Sequence, residues 1–181
     1  MVHPAITRLS SLLGGPGIPG DTVDWDDLAR TTGLSLPADY RDFVTLYGGG
    51  EPDEYLGIST PPVGGSPYGD LLDGLDFDPR EDPTALTGTG PENPEKGRLL
   101  PFANSANSDV AFWLCDTRVP DGWDVVVFRR QPLHGEERWV RFDAGFGDFL
   151  VGALDGTLPN PFSDSGFTRR PHAYRNWRQP L

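Results

Sequence analysis

The chain has 181 residues, of which 36% are hydrophobic, and its formal net charge at pH 7 is −12. This length allows one domain with a sizeable core, and the sequence has no run of the roughly 18 apolar residues that a membrane span requires. The negative charge disfavours nucleic acid as a partner and favours a basic protein, because a field of one sign repels like charge and speeds encounter with opposite charge.

The N-terminus and the cysteine content indicate the compartment. The first residues lack a basic segment followed by a sustained apolar run, so the sequence predicts no signal peptide. Cys115 is the only cysteine, which excludes a disulfide within the chain and is typical of a reducing compartment. We therefore expect a cytoplasmic protein without a membrane partner.

Residues 1–20 predict an N-terminal helix and a linker. The apolar residues at helical spacing are Ile6, Leu9, Leu12 and Leu13. Residues 14–20, GGPGIPG, cannot hold regular structure and form the linker. Asp24 is then placed to cap a second short helix, which Gly33 would end.

The stretch from Leu36 to Gly50 predicts the helix around which the fold is organised. Pro37 suits the first helical turn, where the macrodipole also favours the negative charge of Asp39. The residues that share an apolar face are Leu36, Tyr40, Phe43, Val44 and Tyr47. Asp39 falls on the opposite, polar face. Three consecutive glycines end the helix, because they accept φ > 0 without steric cost.

Residues 51–97 form a long acidic insertion, rich in glycine and proline, that predicts mainly irregular structure. From Asp21 to Glu95 the sequence carries 17 acidic residues against three arginines, and the rest of the chain is nearly neutral. A long irregular connection inside a domain is typical of a functional surface. The candidate partner-binding residues are Glu51, Asp53, Glu54, Asp70, Asp73, Asp76, Asp78, Glu81 and Asp82.

The spacing of the acids from Asp73 to Asp82 also suggests a calcium site. The segment lacks the alternating ligands, the central glycine and the terminal glutamate of an EF-hand loop. A solvated acidic loop is therefore the favoured interpretation. The sequence predicts no metal site and no cofactor.

Residues 98–142 predict an antiparallel meander of four strands followed by a helix. The strand segments are RLLPFANSA, DVAFWLCD, WDVVVFRR and ERWVRFD. They are rich in valine and aromatic residues and are separated by turn signals of hairpin length. The segment FGDFLVGAL then carries an apolar helical face. The predicted fold class is α+β, with a mainly antiparallel sheet of about four to six strands flanked by helices.

The C-terminal residues 159–181 form a basic and aromatic extension. Its interleaved residues are Phe167, Arg169, Arg170, Tyr174, Arg175, Trp177 and Arg178. Such interleaving is typical of single-stranded nucleic-acid binding, but the overall charge argues against it. The favoured interpretation is an arm that packs on the acidic region of its own domain or of a second subunit.

The sequence offers no constellation for catalysis. His3, His134 and His172 do not lie beside a nucleophile and an orienting acid. Cys115 lies in an apolar strand, where a buried, inert thiol is expected. The glycines after Tyr47 follow a helix and do not link a strand to one, so they do not form a phosphate-binding loop. We predict no catalytic residues and no enzymatic activity.

Three segments in a fixed order resemble the SMI1/KNR4 (SUKH) superfamily over roughly residues 22–158. They are LARTTGLSLPADYRDFVTLYGGG, LLPFANSANSDVAFWL and FGDFLVGAL. The motif residues are Leu36, Pro37, Tyr40, Phe43, Tyr47, Gly48, Gly49, Gly50, Phe149 and Leu150. The resemblance defines a domain at 21–158 that contains the acidic insertion, with the C-terminal extension after it.

The resemblance implies a protein-binding role without catalysis. Bacterial members of the superfamily are mostly immunity proteins that neutralise toxins, frequently nucleases, by stoichiometric binding. Fungal relatives are regulatory hubs, so a scaffold module without a toxin partner is the alternative. A hydrolase that uses paired carboxylates is a weaker alternative from the residues themselves. The expected partner is a basic toxin domain such as a nuclease; its identity and the oligomeric state stay open.

Overall fold

The computed structural model of the chain describes residues 1–76, 98–115, 119–163, 167 and 171–180. In these ranges the helices are α1 (Pro4–Leu13), α2 (Trp25–Thr32), α3 (Ala38–Tyr47) and α4 (Phe146–Asp155). The strands are β1 (Gly50–Pro52), β2 (Leu56–Ile58), β3 (Arg98–Ser105), β4 (Val110–Cys115), β5 (Asp124–Phe128), β6 (Trp139–Phe142) and β7 (Tyr174–Asn176). Short 3₁₀ turns occupy Leu71–Asp76 and Pro120–Gly122. Every described helix is too short or too polar to span a bilayer.

The helices begin and end where the sequence predicts. The side chain of Asp24 accepts a hydrogen bond of 2.9 Å from the backbone N–H of Asp27, which caps α2, and Gly33 ends α2 with φ of 70°. Helix α3 starts after Pro37 and ends at Gly48, whose φ is 69°. The capping and glycine signals therefore predict these helix boundaries correctly.

The described strands form one antiparallel sheet in the order β6-β5-β4-β3-β2-β1-β7. The α+β class and the meander of β3 to β6 are confirmed, and the seven strands exceed the expected range by one. The expectation of irregular structure is wrong for the start of the acidic insertion, because β1 and β2 form a hairpin there. Each has three residues and contains glycine or proline, so neither shows a recognisable alternation.

Aromatic side chains between the sheet and helices α3 and α4 form the centre of the core. Tyr40 lies edge-on to Trp113 at 4.8 Å and to Phe146 at 5.1 Å between ring centroids. Phe102 contacts the same tryptophan ring at 4.6 Å. All four side chains are fully buried. Such pairs contribute about 0.5–1.5 kcal/mol each beyond the burial of their area. They explain why α3 carries an aromatic residue where it faces the sheet.

Asp39 differs from its predicted position on a polar face. It is buried, and its Oδ2 atom accepts a hydrogen bond of 2.7 Å from the backbone N–H of Gly147 in the first turn of α4. Helix α4 has no side-chain cap at Gly145, so the carboxylate of α3 caps it from outside. Burial raises the pKa of Asp39, although hydrogen bonds from Gly147 and Tyr40 act in the opposite direction.

The sheet face opposite the helices changes character along its width. On β3 to β6 it carries a second apolar cluster, formed by Leu99, Phe112, Val126, Phe128 and Trp139. Val110 packs against this cluster and pairs with Asn104 across the β3–β4 register. Asn104 is exposed and pairs with Gly57 of β2. The apolar surface therefore gives way to a polar surface at β2, β1 and β7.

Candidate functional site

The glycines after α3 form a turn that other segments hold from both sides. The carboxylate of Asp21, with a side chain that is 0% exposed, accepts a hydrogen bond of 2.8 Å from the backbone N–H of Gly49. The hydroxyl of Tyr174 donates to the carbonyl of Gly48 at 2.6 Å. A Cβ atom on Gly50 would lie 2.2 Å from a backbone carbonyl of β7. These close approaches explain the glycine run in physical terms.

The β1–β2 hairpin places one glutamate at its tip. The backbone N–H of Tyr55 donates to the carbonyl of Pro52 at 3.0 Å, and φ is 54° at Asp53 and 53° at Glu54. Two positive φ values in succession are typical of a type I′ turn, which glycine or asparagine usually occupies. The turn holds the side chain of Glu54 in solvent, where it is 69% exposed.

Asp53 anchors the C-terminal segment to this hairpin. Its carboxylate accepts a hydrogen bond of 2.9 Å from the backbone N–H of Ala173 and lies 2.6 Å from Nδ1 of His172. The other ring nitrogen of His172 lies 2.9 Å from the carbonyl oxygen of Leu154. These contacts bind the carboxylate of Asp53 to the C-terminal segment of the same chain.

The C-terminal strand β7 brings a cation to the acidic surface. Arg175 pairs with Glu51 across the β1–β7 register, and its Nη2 atom lies 3.0 Å from Oε2 of Glu51. Its Nη1 atom lies 3.7 Å from Oε1 of Glu54. The hydrogen bond to Glu51 raises the pKa of Arg175. The structure therefore shows an arm that packs on the acidic region of its own domain.

The loop between β2 and the first 3₁₀ turn is closed by backbone hydrogen bonds. Thr60 donates through its N–H to the carbonyl of Tyr68 at 2.7 Å and accepts from the N–H of Leu71 at 3.1 Å. The ring of Tyr68 lies over β2, since a Cβ atom on Gly57 would be 3.4 Å from it. Burial raises the pKa of the Tyr68 hydroxyl, and its hydrogen bond with Glu51 adds to that increase.

A buried aspartate holds the turn between β3 and β4. The carboxylate of Asp109 accepts hydrogen bonds from the backbone N–H groups of Arg130 at 2.9 Å and Ser163 at 2.8 Å. The hydroxyl of Ser105 accepts from the N–H of Asp109 at 3.0 Å. The turn is tied to the β1–β2 hairpin where the N–H of Ala106 donates to the carbonyl of Tyr55. Four segments that are distant in sequence thus meet at this turn.

An open groove of about 300 Å³ lies between the β1–β2 hairpin, the loop that carries Tyr68 and Asp70, and the turn after β3. Its acidic residues are Glu51, Glu54 and Asp70. Tyr68 and Gly57 also line it, and Asn104 belongs to the polar strip of the sheet face. We name this feature the acidic groove. It combines carboxylates, an aromatic ring and neutral hydrogen-bonding groups in a single concave surface.

The structure places six of the nine candidate residues, in three settings. Glu51, Glu54 and Asp70 come together in the acidic groove, whereas Asp53 is held by the C-terminal segment. Asp73 and Asp76 are exposed on the neighbouring 3₁₀ turn. Asp78, Glu81 and Asp82 lie outside the described residues. Tyr68, Gly57 and Asn104 could not be predicted as site residues, because nothing in their local sequence patterns shows that they meet.

The described residues contain no group of three or more histidine, cysteine, aspartate or glutamate side chains arranged to hold a metal ion. Within the same ranges, the histidines occupy separate places. His3 accepts a hydrogen bond at the start of α1, His134 is exposed in a turn, and His172 contacts Asp53. Cys115 is partly buried at the end of β4.

The fold and the groove define an α+β protein with helices on one sheet face and, on the other, an apolar cluster over β3 to β6 beside an open polar surface at β2, β1 and β7. The model of the SMI1/KNR4 family (SUKH-1) matches residues 19–152. The chain therefore belongs to the SMI1/KNR4 family. Comparisons with curated proteins and with solved structures give no significant match. The family match ends within α4, so Arg175 and the rest of β7 lie beyond it.

Proposed function

We propose that the chain is an immunity protein that neutralises a bacterial toxin domain by stoichiometric binding. The observation that carries the proposal is the acidic groove, an open surface lined by three carboxylates, two of which share one guanidinium. Membership of the SMI1/KNR4 family supports it, because the resemblance to this superfamily implies protein binding. The partner is a basic toxin domain such as a nuclease.

In this mechanism, the negative charge of the groove raises the rate of association and favours a basic partner. A nuclease site that binds phosphate carries lysine and arginine, so an acidic surface can cover it and exclude the nucleic acid. Charges on the rim of an interface mainly raise the rate of association. That rate should fall as salt rises from about 0.1 M to about 1 M, because the Debye length shrinks from about 10 to about 3 Å. An association rate that does not change with salt concentration would contradict the charge mechanism.

The direct test is rescue of cells from the toxin domain that we expect a neighbouring gene to encode. We expect coexpression of the chain to restore growth, and the variant Glu54→Gln/Asp70→Asn to rescue poorly. The matched control is Asp73→Asn/Asp76→Asn, which removes the same charge from exposed sites outside the groove lining and should rescue like the wild type. Failure of the wild-type chain to rescue or to bind that domain would contradict the proposal and favour the regulatory alternative.

A further inference from the structure

Two carboxylates of the acidic groove already contact one guanidinium group of the chain itself. Arg175 lies at the rim of the groove, within 3.0 Å of Glu51 and 3.7 Å of Glu54. This contact shows which chemistry the carboxylates accept. Two carboxylates share this one cation, and Asp70 adds a third negative charge to the lining. The groove therefore keeps an excess of negative charge that a second cation would complement.

The size of the groove limits the occupant. A volume of about 300 Å³ is at the lower end of the range of roughly 300–1,000 Å³ that small-molecule sites occupy. It suits one long side chain with part of its backbone. An arginine fits better than a lysine, because its planar fork matches carboxylates in pairs and stacks on an aromatic ring such as that of Tyr68.

The walls of the groove are fixed before any partner arrives. Thr60 is 0% exposed, and its backbone bonds to Tyr68 and Leu71 close the loop that carries Tyr68 and Asp70. The opposite wall is held by the bond from Ala106 to the carbonyl of Tyr55. A preorganised site loses little conformational freedom on binding, so it can serve as an anchor point.

We infer that the acidic groove binds one arginine side chain of a protein partner, with its guanidinium between the Tyr68 ring and the carboxylates of Glu54 and Asp70. This inference rests on the proposed function only in assigning that arginine to the toxin. The exposed Asn104 of the groove lining offers a neutral amide that can accept a further hydrogen bond from the arginine or its backbone. The site thus recognises a protruding arginine and not a general basic surface.

The test uses the full chain, labelled with ¹⁵N, and a short probe, N-acetyl glycyl-arginyl-glycine amide. We expect saturable shifts of the backbone amides of Gly57, Ser59, Asn104 and Ala106 in the millimolar range. The same peptide with citrulline in place of arginine has nearly the same shape without the charge and should cause none. Equal shifts with citrulline, shifts spread over exposed acids such as Asp73 and Asp76, or no saturable shift would overturn the inference.

Variants of the groove sharpen the test. Asp70→Asn, at an exposed position, should weaken binding of the arginine peptide about tenfold, because it removes a charge-assisted hydrogen bond. Asp73→Asn is the control and should change affinity less than about twofold. Tyr68→Phe keeps the ring and should retain affinity, whereas Tyr68→Leu should lose it. Equal effects of the two aspartate variants would contradict the assignment.

The peptide titration separates this inference from the proposed function. It requires no toxin, so arginine binding can be established even if the chain does not rescue cells. If the chain does rescue cells while the groove variants neutralise the toxin as well as the wild type, the inference fails and the proposed function stands.

Discussion

Arg175 of the C-terminal strand lies 3.0 Å from the carboxylate of Glu51 on the neighbouring strand, although the two residues are 124 positions apart in the sequence. The contact shapes the acidic groove in two ways. It neutralises one carboxylate that would otherwise face a partner, and it fixes the direction of that side chain. Glu54 and Asp70 therefore carry the negative charge that is available to a partner.

Removal of this cation should strengthen the binding of an external one. We expect Arg175→Gln to raise the affinity for the arginine peptide about two- to threefold, because it removes a positive charge that contacts two carboxylates of the groove. The urea midpoint should change little, since partly exposed ion pairs contribute little to stability. Peptide titration followed by NMR measures the affinity. An unchanged or lower affinity would show that Arg175 does not compete for the groove.

Asp21 should be important for stability. Its buried carboxylate accepts hydrogen bonds from Gly49 and from Nε1 of Trp177 and forms an ion pair with Arg178. Asp21→Ala leaves these donors without their acceptor and should cost about 2–4 kcal/mol of unfolding free energy. The control Asp24→Ala removes only the cap of α2 and should cost about 1 kcal/mol.

Urea unfolding measures the loss of unfolding free energy in both variants, provided that their m-values equal that of the wild type. If Asp21→Ala proved no more destabilising than the cap variant, Asp21 would not join the glycine turn to the C-terminal segment.

Glu54 sits in a backbone conformation that glycine adopts more easily. Because its φ is 53°, Glu54→Gly should stabilise the fold by about 0.5–1 kcal/mol while it weakens arginine binding. Thermal unfolding together with peptide titration measures both effects. The control Glu51→Gly, in a strand, should destabilise the fold. A loss of stability in Glu54→Gly would contradict the type I′ turn.

Asp39 should give stability a distinct pH dependence. Burial raises its pKa in the folded state above 3.8, so the folded state holds the proton more tightly than the unfolded chain. Its contribution to the free energy of unfolding should therefore fall as pH rises from about 3.8 through the raised pKa, and then stay constant.

The difference between the wild type and Asp39→Asn isolates this effect. Urea unfolding at a series of pH values should show a difference that declines over that window. A difference that increases with pH would mean that the folded state prefers the anion.

Helix ends and long strands could be predicted from the sequence because their signals are local. The Asp24 cap, the glycine after α3 and the valine-rich run of β5 each act within a few residues. The role of Asp39 could not be predicted, because its partner Gly147 is 108 residues away. A carboxylate in a first helical turn fits a solvent-exposed position equally well.

The site was predictable only in part. An excess of acids identified Glu54 and Asp70, but composition does not say which acids share a surface. Strands β1 and β7 have three residues each, and they pair although Glu51 and Arg175 lie 124 positions apart in the sequence. Gly57 and Tyr68 can be recognised as groove residues only in the folded structure, which brings them together.

Calorimetric titration of the chain with the toxin domain that we expect a neighbouring gene to encode tests the central claim most directly. We predict one-to-one binding, about a hundredfold weaker for Glu54→Gln/Asp70→Asn because two charged contacts are lost, and within about threefold of the wild type for Asp73→Asn/Asp76→Asn. Binding of the groove variant as tight as that of the wild type, or equal losses in both variants, would contradict the account.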